Sequence, residues 1–103
     1  MTVDKNLLMH WWHFYNKDIY TLEELEQFGK IIDQYGVDKI FECAVASFIS
    51  GDGSPMPVLS CIRCNCVEAL IDTLPDISAF TDGEKSEYDN FCKIFIEEIS
   101  STL

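Results

Sequence analysis

Apolar residues recur at steps of three and four along nearly the whole chain, and this period limits the possible folds more than any other feature. Leu22, Leu25, Phe28, Ile32 and Tyr35 follow it. So do Val37, Ile40, Phe41, Ala44, Val45 and Phe48, and later Tyr88, Phe91, Cys92, Phe95, Ile96 and Ile99. No strong strand signal competes. Pro55 and Pro57 bracket Met56, and two prolines that close cannot sit in a central strand.

Local punctuation divides the period into helices. Thr21-Leu22-Glu23-Glu24 and Thr81-Asp82-Gly83-Glu84 are capping boxes, in which hydroxyl and carboxylate each satisfy a free backbone N–H. Gly36 stands where a left-handed residue ends a helix. The expected helices run from about Asp4 to Asn16, from Thr21 to Gly36 and from Val37 to Ser50. A fourth starts at Ser54-Pro55 and stops near Asn65 or continues to Leu74, with Asn65-Cys66-Val67-Glu68 favouring a fresh cap. After a connector over Asp76 to Phe80, the last runs from Thr81 to the C-terminus. The expected fold is all-α, a single compact bundle of five or six short helices, with residues 1–103 as one domain. The third helix, uncharged after Glu42, is placed at its centre.

Charge then bounds the function. The chain has 18 Asp and Glu against 7 Lys and Arg, a net charge of -11, yet 48% of it is hydrophobic and 13% aromatic. A disordered acidic tail lacks such residues, so a folded body carries this charge. Its field repels phosphate backbones and anionic lipids and attracts basic surfaces. Direct nucleic-acid binding is not expected, because it needs Lys and Arg to displace counterions. No apolar run is long enough to span a bilayer, and MTVDKNLLMHWWHFYNKD lacks the parts of a signal peptide. The expected location is the cytoplasm. No nucleophile–base arrangement or glycine-rich cofactor loop is visible, so neither an enzyme nor a cofactor is expected.

Several strings carry possible chemistry. Cys61, Cys64 and Cys66 would suit a metal or redox site, but no second cysteine pair lies at domain distance, and Cys43 and Cys92 are isolated. His10 and His13 share a helical neighbourhood, and would matter if they met the cysteines. The simpler reading makes these boundary or semi-buried residues, with no metal. Gly51-Asp52-Gly53-Ser54-Pro55 lacks the lysine and length of a phosphate loop and reads as a helix connector. Arg63, the one arginine, reads as the ion-pair partner of a carboxylate rather than an anion ligand.

Two groups are the candidate contact residues. Trp11, Trp12 and Tyr15 lie, with Phe14, on a first helix whose apolar face is wider than a peripheral helix needs, so either one tryptophan faces the core and the other a partner, or all four rings sit in the core. Glu23, Glu24 and Glu26, with Asp82, Glu84, Glu87 and Asp89, form either a solvated face or a surface mimicking duplex phosphates. The expected function is a non-enzymatic acidic protein that binds and blocks a basic, nucleic-acid-binding protein, as phage anti-defence inhibitors do. The alternatives are a homodimer or higher homo-oligomer with a ligand or scaffold role between protomers, and a Cys/His metal or thiol sensor.

Overall fold

The computed structural model describes residues 3–16, 19–50 and 56–103, with side chains of 50 and 56–58 excepted. The fold is all-α. Its helices are α1 (Lys5–Asn16), α2 (Leu22–Tyr35), α3 (Val37–Ser50), α4 (Met56–Arg63), α5 (Val67–Asp72) and α6 (Asp82–Ser100), with a 3-10 turn at Ile77–Ala79. The expected connector from Gly51 to Pro55, including the Ser54 cap, lies outside the described residues. No helix among the described residues is long and apolar enough to cross a membrane.

Both capping boxes form. Thr21 accepts from the Glu24 N–H at 3.2 Å, and Glu24 accepts from the Thr21 N–H at 2.9 Å. Thr81 and Glu84 repeat the exchange at 3.3 Å in each direction. At α1, Asp4 accepts from the Leu7 N–H at 2.9 Å, so a carboxylate begins that helix too.

Two junctions differ in detail from the sequence reading. Gly36 does take a positive φ, 92°, but its ψ of 150° is extended rather than left-handed helical. Its N–H donates to Ile32 O at 2.8 Å and its carbonyl accepts from the Ile40 N–H at 3.3 Å. One residue thus closes α2 and opens α3. Asn65 is not the cap of a new helix. It is the left-handed residue, φ 54°, that ends α4 in a Schellman turn. The Cys66 N–H donates to Cys61 O at 2.9 Å and the Asn65 N–H to Ile62 O at 3.2 Å. α5 then starts from Cys66 without a side-chain cap.

Packing explains the wide apolar face of α1. Leu7, Leu8, Trp11 and Trp12 are all buried. Trp11 meets Phe28 of α2 at 6.1 Å and Phe95 of α6 at 6.2 Å. Trp12 stacks on Phe28 at 4.3 Å with the rings 17° from parallel. Both tryptophans thus share Phe28 of α2, Trp11 also reaches α6, and α1 packs against α2, α3 and α6. From α3, Ile40, Cys43, Ala44 and Val45 are buried against the same core. Each such large apolar side chain stabilises the fold by about 1.5–3 kcal/mol, and an aromatic pair adds about 0.5–1.5. One polar flaw interrupts this core. Trp12 Nε1 and both amide atoms of Asn16 are buried with no hydrogen-bond partner among the described residues, at about 1–3 kcal/mol for each such group.

α2 and α6 each pack on α1 and α3, and α2 also packs on α4.

Candidate protein-binding surface

The aromatic half of the expected contact site is corrected by burial. Trp11 and Trp12 are both 0% exposed, so neither reaches a partner at the surface. A width read as one face in and one face out is instead two inward faces. Tyr15 is half-buried against the core, edge-on to Phe14 at 5.1 Å.

The acidic half reaches solvent, with one exception. Every described Asp and Glu is exposed except Glu24 and Glu42, which are partly covered. Glu42 pairs with Lys39 at 3.3 Å. Glu24 is committed internally. Arg63 Nε and Nη2 donate to it at 2.6 and 3.1 Å, and Arg63 Nη2 also donates to Ile19 O at 2.8 Å. The bond from Arg63, and then the Thr21 N–H, pulls the Glu24 carboxyl down to about 2. Glu24 thus ties α4 to the start of α2 and is not available to a partner. Glu84 is exposed but holds its cap, accepting from Thr81 Oγ1 at 2.9 Å.

The remaining acids are divided between two helices. Glu23 and Glu26 lie on the solvent side of α2 beside Lys30, while Asp33 there is paired with Lys5 at 3.0 Å. Asp82, Glu87 and Asp89 lie on α6, which like α2 packs on α1 and α3.

On α6 the charge continues past the expected residues. Glu97 and Glu98 are exposed, and between the two acidic groups Ile94 is 39% exposed. With about 100° per residue, Glu87, Ile94 and Glu98 fall within about 40° of one another, about 60–140° round the helix from the buried Phe95 and Ile99. Asn90 and Glu97 lie next to them on the side away from Phe95. An exposed apolar side chain beside the carboxylates of Glu87 and Glu98 resembles a centre with part of the rim of a protein interface, while Asp82 and Asp89 lie about 120–140° further round the helix. The signal was present in the sequence: Ile94 is the aliphatic of α6 that breaks the inward period. From Glu87 to Glu98 this face extends over about 17 Å of the helix.

A second concavity lies between α2 and the α4–α5 junction, a cleft of about 520 Å³ that includes Gln27, Gln34, Tyr35, Asn65, Cys66 and Glu68. Burial, then the charges of Glu68 and Asp72, raises the Tyr35 hydroxyl above its usual value.

The histidines and cysteines do not converge. No three His, Cys, Asp or Glu among the described residues are placed to hold a metal ion. His10 Nε2 lies 2.6 Å from Thr102 Oγ1. That hydroxyl donates to Ile99 O at 2.6 Å, so it accepts from His10 and is not activated as a nucleophile by it. His13 Nδ1 is 2.6 Å from the Tyr20 hydroxyl. Cys43 is buried, which pushes its thiol up to about 11. Comparison with protein-family models, with curated proteins and with solved structures finds no match for this chain in any of the three.

Proposed function

We propose that this chain is a non-enzymatic binding protein that lays the acidic face of α6 against a basic protein surface and so blocks a nucleic-acid-binding site. The observation that carries this reading is the outward display of charge. The net charge is -11, and the ion pairs among the described residues are Lys5–Asp33, Lys39–Glu42 and Arg63–Glu24. Most carboxylates are left without an internal cation, and such a field steers cationic partners. On α6, Asp82, Glu87, Asp89, Glu97 and Glu98 outnumber the exposed Lys85 and Lys93, and Ile94 supplies the apolar anchor. Glu23 and Glu26 belong to a different helix, α2, and are a natural control. The oligomer alternative drew on the aromatic content, and the largest of those rings are occupied in the core.

The test is a partner captured on the immobilised chain. It should elute as salt rises, and a DNA duplex should compete for it. Ile94→Ala should weaken its affinity about tenfold, while Glu23→Gln with Glu26→Gln leaves it unchanged. A captured partner that holds equally at low and high salt, or that binds duplex and this chain together, overturns the reading.

A further inference from the structure

We propose that Cys61 and Cys66 form a dithiol site that closes to a disulfide on reaction with a low-molecular-weight disulfide such as oxidised glutathione. The reading stands independently of the acidic face.

The Schellman turn creates the site. In that motif the residues at the two ends of the loop meet, ordinarily through an apolar contact. Here both ends are cysteines. The Cys66 N–H to Cys61 O bond of 2.9 Å holds the two residues across the turn. With standard backbone dimensions it keeps their Cα atoms within about 7 Å, the span a disulfide bridges. Burial, and then the neighbouring Cys66, raises the Cys61 thiol above its usual value. Cys66 is exposed and Cys61 partly covered, so access assigns the order of attack. The bridge would enclose Arg63, whose guanidinium clamps Glu24, and would sit at the rim of the α2–α4 cleft.

The chemistry balances as two exchanges. The Cys66 thiolate attacks one sulfur of the small disulfide, breaks its S–S bond and releases one small thiolate. A mixed disulfide remains on Cys66. Cys61, its proton lost to solvent, attacks Cys66 Sγ, forms the internal bond and releases the second small thiolate. Two protein thiols are oxidised and one small disulfide is reduced to two thiols.

Cys64 is also exposed and is the competing partner. Arg63 makes the pairing readable. The reduced full-length chain is incubated with oxidised glutathione, remaining thiols are blocked with iodoacetamide, and the denatured product is cut with trypsin. Cleavage after Arg63 separates Cys61 from both Cys64 and Cys66. The expected result is a linked pair of peptides, lighter by two hydrogens and released by reductant, in the wild type and in Cys64→Ser. Cys61→Ser should instead retain glutathione on Cys66. A linked pair that disappears in Cys64→Ser, or a wild type that keeps glutathione on Cys66 with no link, overturns the proposal. Circular dichroism of each variant before oxidation checks that the turn is presented by folded protein.

Discussion

Glu24 shows how one residue can serve both local and tertiary structure. Its carboxylate completes the cap of α2 and receives two bonds from Arg63 on α4. The carboxyl accordingly falls from the usual 4.5 to about 2. Because the folded value lies below the unfolded one, the stabilisation is complete above pH 4.5 and is lost as pH falls toward 2. Glu24→Gln should therefore be less stable than the wild type at neutral pH, and the gap should close through that window. Urea unfolding followed by circular dichroism at a series of pH values measures it, and a gap independent of pH would contradict the assignment. The capping role was legible in Thr21-Leu22-Glu23-Glu24 because it is local. The pairing of Arg63 with some carboxylate was also legible, but its identity needed the approach of α4 to α2.

At the scale of elements, two glycines separate backbone demand from space. Gly36 joins α2 to α3 at φ 92°, and a Cβ there would meet nothing within 4 Å. Its replacement by Ala therefore fails on conformation alone and should cost about 1–2 kcal/mol. Gly29 lies inside α2, where a Cβ would meet Lys5 Cε at 3.7 Å and Met9 Cε at 3.9 Å, ordinary contact distances. Gly29→Ala should stabilise by about 0.5–1 kcal/mol, since alanine suits a helix interior better. Thermal denaturation of the two variants should give shifts of opposite sign. Helix period and caps revealed these elements, but not every boundary. Asn65 suits both the start of a helix and the left-handed end of one. Its role was decided by the amide of Cys66 reaching back to Cys61. The tryptophans were ambiguous for a similar reason. A wide apolar stripe describes an exposed interface and a helix wedged between two neighbours equally well, and only the contacts of Trp11 with Phe28 and Phe95 separate them.

For the molecule as a whole, the same charge has two opposite salt effects. Exposed carboxylates at a net -11 repel one another in the folded state, and salt relieves this as the screening length falls from about 30 Å at 0.01 M to about 3 Å at 1 M. Melting temperature should therefore rise with sodium chloride, by roughly 4–8 °C for each kcal/mol of repulsion removed. Complex formation with a basic partner should weaken over the same range. Calorimetry of the free chain showing no rise would place the charges too far apart to matter. Composition alone gave the sign and size of this field. Which carboxylates stay free of a cation depended on tertiary contacts such as Arg63 with Glu24 and Lys5 with Asp33.

The interior position of both indoles also makes the chain a reporter on itself. Trp11 and Trp12 are the two tryptophans in the sequence, and each is wholly shielded from water. Their fluorescence arises from a dry environment that an aqueous quencher does not touch. Docking on the outer face of α6 leaves that emission unaltered, whereas opening of the core shifts it to the red, so a single spectrum distinguishes occupancy from unfolding.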